Sequence, residues 1–460
     1  MSLFGTFGLT ASSASAQQTA TPNILASAQL RRGYNALDGG MRPGTADDQS
    51  RVLQQVLDEA ARRGDPVFLP PGRYNLSNIT LPARTRLMGV PGSTRLVYGG
   101  GGHFLSSLGG DDVQLSDMVL DGANLPLQPY APGLLTVANT RSFHVENCLV
   151  TGSSAIGISL ERSGGRIEKC EVVGAAGNAG IKSIEATRLA ITDNHVHNCA
   201  DGGIYVWRWA SGEDGTQISG NRVERIGAKS GGTGQHGNGI NIFRADGVSV
   251  TDNWMADCAF SAIRVNAGNN SRIAANTCLR SGETAIYVEF GFSGSIVSAN
   301  MIDGATGGIS CTNFNDGGRL ATVSDNIVRN LKTRGPYVNE TIDFGWGIHA
   351  EADTVVTGNL VERAPLYGLS LGWGVNLRNV LASGNIIRDA GTGIAVSVAD
   401  GAGAAMILDN MIDGTARGAI LGHRWKQAVT EDLVGRRQNH NGGFEQLTIN
   451  GNRSTGRSLS

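Results

Sequence analysis

The sequence is short of proline, of net charge and of long apolar runs. Only 12 of its 460 residues are Pro, which excludes a collagen-like or low-complexity chain. Its 38 basic residues nearly balance 40 acidic ones, so no charge field points to nucleic acid or another polyanion. No apolar stretch is long enough to span a bilayer as a helix. None of the six cysteines has zinc-type spacing. Cys199, Cys258, Cys278 and Cys311 stand beside apolar residues and read as small buried hydrophobes. Glycine, by contrast, is plentiful: 66 residues, about twice the usual share. So much Gly with so little Pro implies many tight turns.

The first 23 residues, MSLFGTFGLTASSASAQQTATPN, carry Ala14-Ser15-Ala16 before Gln17 and a short apolar stretch from Leu3 to Leu9. This resembles a signal-peptidase site without a basic leading region. Residues 1–23 read as the remnant of an export signal, with a disordered small-residue tail as the alternative. Arg31-Arg32 is not a twin-arginine signal, because no apolar segment follows it.

A phrase of the form Ile/Val-x-x-Asn-x-Val, followed by Gly/Ala-Ile-x-Val, recurs down the chain. Its asparagines are Asn194, Asn221, Asn253, Asn276, Asn300, Asn326, Asn359, Asn385, Asn410 and Asn452, and Cys148 and Cys170 hold the same place in two earlier copies. From 148 the steps are 22, 24, 27, 32, 23, 24, 26, 33, 26, 25 and 42 residues. Leucine-rich repeats share that period, but their consensus and their helical pattern are missing; a propeller blade needs roughly 40 residues or more. Short alternating strands parted by Gly and Asn fit an all-β chain instead. The architecture expected is a single-stranded right-handed parallel β-helix, with about 12 or more coils and one coil per repeat. Residues 24–110 would form the N-terminal cap and first coils, and residues 111–456 the repeats.

In such a coil alternate Ile and Val point inward, and coils stack about 4.8 Å apart. The recurrent Asn is expected at a turn, where it tolerates unusual backbone angles and hydrogen-bonds its copies above and below. Cys148 and Cys170 on adjacent coils would come within disulfide range; of the two states, reduced buried thiols are the preferred reading. The open end of a β-helix needs a cover. DDQSRVLQQVLDEAARR, residues 47–63, puts Val52, Leu53, Val56, Leu57, Ala60 and Ala61 on one helical face, and Gly64 stops it. This helix is expected to cap the first coil, and residues 66–76 to make a strand, a turn and a strand.

Residues 36–76, ALDGGMRPGTADDQSRVLQQVLDEAARRGDPVFLPPGRYNL, resemble the N-terminal segment of pectate-lyase-like proteins, in which a capping helix leads into V-x-x-P-x-G-x-Y. The later coils resemble that superfamily's β-helix repeats. Over roughly residues 24–456 the chain resembles the exported, twin-arginine-translocated β-helix repeat proteins, which lack an assigned activity. The resemblance implies the fold and export, and says little about reaction, since one fold hosts many functions. The superfamily's best-known catalytic signatures do not transfer. There is no Asp-Pro-His-Asp as in alginate epimerases. Gln235-His236-Gly237 is only a fragment of the polygalacturonase pattern, and no Asp cluster suggests a calcium site.

Stacking lets the outward columns be read off. The x of each Gly-Ile-x-Val strand gives Lys182, Tyr205, Asn241, Arg264, Tyr287 and His349, and the residue after Val gives Trp207, Phe243, Asn266, Glu289 and Glu351. The last coils turn small and bland. Aromatic rings stack on sugars, and Asn, Arg and Glu bind hydroxyls or carboxylates. A glycan groove is therefore expected on the middle coils, with Lys182, Tyr205, Trp207, Trp209, Asn241, Phe243, Asn266 and Tyr287 binding substrate. Long turns at 207–215, 228–239 and 312–344 would wall it, with Arg208 and Trp209 opening the first. Glu289 and Glu351, two coils apart, are candidates for an acid–base pair at roughly 9 to 10 Å. Arg264 could instead neutralise a uronate carboxylate or, less usually, take a proton from C5, and His349 could act as the base of a lyase or epimerase step. The bland alternative is a ladder of packed surface pairs.

Three features weigh less. His236 sits in a Gly-rich turn; His195 and His197 read as a surface pair rather than a metal site; and residues 423–446 read as a long turn over the last coils, or less simply as a partner site. The expected partner is a polysaccharide or cell-envelope glycan, met by a monomer in the periplasm or outside the cell. No nucleic acid, membrane span or metal ligand set is implied; the cofactor is unknown, since a twin-arginine route would imply folding in the cytoplasm around one while no residue names it. A lyase, a hydrolase or an epimerase acting on a uronate-containing glycan is one reading. A non-catalytic glycan binder or a structural envelope protein is the other.

Overall fold

The computed structural model describes residues 33–232, 234–337, 343–434 and 443–455. The export-signal reading of residues 1–23 lies outside them. Within them the regular structure is almost wholly strand: a 16-stranded sheet and a 28-stranded sheet, built from parallel neighbours but for one antiparallel hairpin in the larger. One turn of the structure contributes three strands. Leu189–Thr192 belongs to the smaller sheet, His195–His197 to the larger, and Gly202–Glu213 to a second row of the larger. The next coil repeats the order with Gln217–Ser219, Arg222–Ile226 and Asn238–Asp246. This is the expected parallel β-helix. The sequence phrase covers all three strands of a coil, with the Asn at the corner between the first and second.

Inside, Ile191, Val196, Ile204 and Val206 are fully buried, and the same positions recur coil after coil in one continuous core. The outward registers hold as expected: Lys182 pairs with Tyr205, Tyr205 with Asn241, Asn241 with Arg264, and Arg264 with Tyr287. Ser310 and His349 continue the column.

The asparagine ladder runs unbroken from Asn194 to Asn452. Asn276 is typical. Its Nδ2 donates to Asn300 Oδ1 at 3.0 Å and to the Val250 carbonyl at 2.9 Å, while its Oδ1 accepts from the Asn253 backbone N–H and Nδ2. The left-handed backbone, however, belongs to the residue before the Asn: Asp193, Asp252, Ala275, Ala299, Asp325 and Asp409 all have positive φ. The Asn keeps ordinary angles because its amide must stay aligned with its copies. Cys148 and Cys170 hold the first two rungs as free, buried thiols. The Cys170 backbone N–H donates to Asn194 Oδ1.

Each end carries an added element. Helix α1 (Ser50–Arg63) buries Leu53, Val56, Leu57 and Ala60 and stops at Gly64, whose φ of 74° is left-handed. Its side chains satisfy the open strand edge. Gln54 Nε2 donates to the Thr80 carbonyl while Gln54 Oε1 accepts from the Thr80 N–H, and Ser50 Oγ accepts from the Ser77 N–H. At the far end His423–Ala428 makes an antiparallel hairpin, and Asp432 accepts from the Ala419 and Ile420 N–H groups. The described part of the expected long turn thus lies over the last coils.

Candidate functional site

The middle of the outward face opens into a depression of about 320 Å³, lined by Trp207, Gly234, Gln235, Asn241, Phe243, Arg264, Asn266 and Phe290. Five of these are expected site residues: Trp207, Asn241, Phe243, Arg264 and Asn266. Trp207 meets Phe243 edge-on at 6.0 Å, and its Nε1 donates to Asn241 Oδ1 at 3.2 Å. Lys182 stands outside the lining, with its Nζ 3.9 Å from the Trp207 ring centre and donating to Asn178 Oδ1. Burial lowers its pKa to about 8.

Three expectations fail on geometry. Tyr205 is not a platform for sugar: it is fully buried, stacked on Trp207, with its hydroxyl against the Asp201 and Gln235 carbonyls. The segment that carries Gln235 folds over it, which the register alone could not show. Trp209 does not start a turn. Gly202–Glu213 continues as one strand whose register shifts between Trp207 and Gly212, and Trp209 stands outside the depression, 63% exposed. Arg208 is tied to Glu185 at 2.6 Å.

Glu289 is the third. Its two oxygens accept from Arg264 Nε at 2.6 Å and Nη2 at 2.9 Å, and Asn266 Nδ2 adds a third bond at 3.0 Å. Both oxygens are thereby committed within the protein, and neither is turned to a ligand. Arg264 also donates Nη1 to Glu283 Oε2 at 3.2 Å, and all three ionic groups are buried. Burial alone would lower the Arg264 pKa, but the Glu289 and Glu283 charges outweigh it and hold the guanidinium charged. Tyr287 lies under that guanidinium, 4.9 Å from its centre. It serves the ion pair rather than the lining.

Sequence reasoning missed Glu283, Tyr337 and Phe290. Glu283 is buried, bonded by Tyr337 Oη at 2.5 Å and by Ser261 Oγ, and burial pushes its carboxyl above the usual range. One signal was present: Glu283 and Asp201 hold the same repeat position, three residues before the inward Ile. Phe290 is 41% exposed and sits at a φ of 58°. Arg162, Glu185, Arg244, Ala267 and Asn313 occupy the corresponding left-handed turn in other coils. A bulky aromatic there is a strained choice, and strain of that kind gathers at functional sites.

His349 and Glu351 lie further along. His349 helps line a second depression of about 280 Å³ with Trp346, Tyr367, Trp373, Ser370, Leu366, Asp343 and Lys426. From Arg264 to His349 is three strand spacings, about 14 Å. His349 Nε2 is buried without a hydrogen-bond partner, 3.9 Å from Glu351 Oε1. Burial lowers the His349 pKa to about 4 and raises that of Glu351 to about 7. Glu351 Oε2 accepts from the Phe314 N–H at 2.8 Å. The four proposed catalytic residues therefore fall into two separate pairs.

His195 and His197 stack at 4.1 Å, and Glu171 joins them, its ligand atom within 4.8 Å of theirs. His197 is buried rather than exposed. His197 Nε2 already meets Glu171 and His195 Nε2 meets Glu224, while Asn198 Nδ2 points at His197 Nδ1. His144, Glu146 and Glu168 form a similar trio, with Lys169 paired to Glu146.

The model of the right handed beta helix region matches residues 133–213 and 209–376, more than half of the chain. No curated protein matches the sequence. Among solved structures, the N-terminal fragment of bacteriophage phi29 gene product 12 is 13% identical, with 94% of this chain and 72% of that one covered at a TM-score of 0.54. PfbA, a surface adhesin of Streptococcus pneumoniae, is 11% identical over 91% of this chain and all of that one, at 0.47. A mannuronic acid specific polysaccharide family 6 lyase from human gut microbiota is 15% identical over 83% of this chain and 86% of that one, at 0.46. At such identities the likeness is one of fold.

Proposed function

This chain belongs to the right-handed β-helix family, and on that scaffold we propose that it binds a polysaccharide along the outward face of its middle coils. One observation carries the reading. The first depression combines aromatic walls, Trp207, Phe243 and Phe290, with the amides of Gln235, Asn241 and Asn266. Rings take the apolar faces of sugars and amides take their hydroxyls. The second depression repeats the pairing with Trp346, Tyr367, Trp373 and Ser370 on the same face.

Turnover is the further step of this reading, and it belongs to the second depression. Glu351, with its pKa near 7, is the group matched to taking or giving a proton at neutral pH, and the neutral ring of His349, a weaker base with its pKa near 4, stands 3.9 Å from it. Arg264 and Glu289, saturated by each other, shape the first depression instead. The polymer would be met in the periplasm or outside the cell, which Ala14-Ser15-Ala16 before Gln17 supports. The N-terminal cap α1, with the His423–Ala428 hairpin over one strand at the other end, favours a monomer.

The test is a polysaccharide panel with native-gel retention, reducing-end release, ultraviolet absorbance of unsaturated products and proton exchange at the sugar ring. Retention weakened about tenfold by Phe290→Ala or Trp207→Ala supports the groove. Turnover abolished by His349→Ala with binding intact makes the protein an enzyme, while binding without any turnover leaves a recognition protein. Retention untouched by both aromatic variants refutes the groove.

A further inference from the structure

Resting on this glycan reading, we infer that the groove takes an uncharged polysaccharide, because the ionic side chains lining both depressions carry their counter-charges with them. The first depression has one ionic lining residue, Arg264. All three arms of its donor fork are spent inside the protein, on Glu289 and Glu283. The trio is buried, and two carboxyls face one guanidinium. Its net charge is zero if Glu283 holds its proton and minus one if it does not. In neither state is it positive.

A uronate carboxylate entering here would leave water and find no uncommitted cation in the lining. It would also approach a guanidinium that already carries two buried carboxyls. Stripping its water would cost more than ring stacking returns. The expectation that Arg264 neutralises a uronate therefore fails on geometry. The second depression follows the same rule: Lys426 Nζ lies 2.7 Å from Asp343 Oδ2, and His349 is neutral.

Two basic side chains stand beside the rings without lining the depression. Lys182 lies over Trp207 and donates to Asn178, and Arg244 lies over Phe243 and donates to the Trp209 carbonyl. Both are engaged with the walls. What faces the ligand is amide, hydroxyl and ring, a set matched to neutral hydroxylated polymers.

Native-gel retention with soluble neutral glucans and mannans, beside alginate and polygalacturonate, tests this at low salt and at about 0.3 M. A neutral polymer retained equally at both salts, with no polyuronate retained, is the expected result. A polyuronate retained in a way that Phe290→Ala and Trp207→Ala abolish and salt weakens would overturn the charge inference while leaving the groove standing. Retention of neither class would overturn the inference and the glycan reading together.

Discussion

Arg264 and Glu289 sit diagonally on adjacent coils and form a two-bond fork, Nε to Oε1 at 2.6 Å and Nη2 to Oε2 at 2.9 Å. Arg264 lines the first depression, and Glu283 takes its remaining nitrogen. Removing one partner of a buried pair costs about 3–5 kcal/mol. Arg264→Met strands two carboxylates and should lose that much. Glu289→Gln keeps an acceptor and leaves Glu283 in place, so it should lose clearly less. Denaturant midpoints measure both, and equal losses would contradict the three-way arrangement.

Phe290 should trade stability for binding. Its left-handed backbone is one that Asn tolerates and a bulky aromatic does not, a difference of about 1 kcal/mol. Phe290→Asn should therefore raise the melting temperature while weakening glycan retention about tenfold. A variant that binds normally would remove Phe290 from the site.

Glu351 and His349 should show opposite pH signatures. The Glu351 carboxyl, ordinarily at 4.5, sits at about 7 in the folded chain. Its contribution to stability is full below about pH 4.5 and is lost as pH rises through 7. His349, lowered from 6.5 to about 4, contributes fully above 6.5 and loses that as pH falls toward 4. Glu351→Gln removes only the first effect. Its stability relative to the parent should rise by up to about 3 kcal/mol between about pH 5 and pH 8. Guanidinium unfolding at the two pH values checks this; a constant difference would mean that Glu351 ionises in its ordinary range.

The asparagine ladder should be costliest to break in its middle. Asn276→Ala leaves the Val250 carbonyl and the Asn253 N–H unpaired in the core, at about 2–4 kcal/mol. Asn452, the last rung and only half-buried, donates to the Ile407 carbonyl and serves one neighbour. Asn452→Ala should cost about 1 kcal/mol or less. Thermal unfolding of the two variants gives the comparison.

Trp209 should prove dispensable for the ligand. It stands outside the lining of the depression, so Trp209→Ala should change retention by less than about twofold, against about tenfold for Trp207→Ala. Equal losses would mean that the groove extends along the outer part of strand Gly202–Glu213.

The repeat determined the inward Ile and Val, the asparagine column and the outward registers, while the capping helix was legible in its own apolar stripe. These depend on period and alternation, and a parallel helix stacks residue n of one coil on its counterpart in the next. Which outward residues meet solvent was another matter. Tyr205, Glu289 and Trp209 share the outward columns or their edge, yet one is roofed over, one is locked to Arg264 and one turns aside. Those outcomes came from the long segments between coils, which obey no period, and from side-chain pairs formed diagonally across coils. Glu283 shows the same limit: its place in the repeat was readable, but its contact with Tyr337, 54 residues away, was not. Register is set by backbone hydrogen bonds and survives in the sequence pattern. Exposure and charge pairing are set by what folds over the face, and only the tertiary structure decides that.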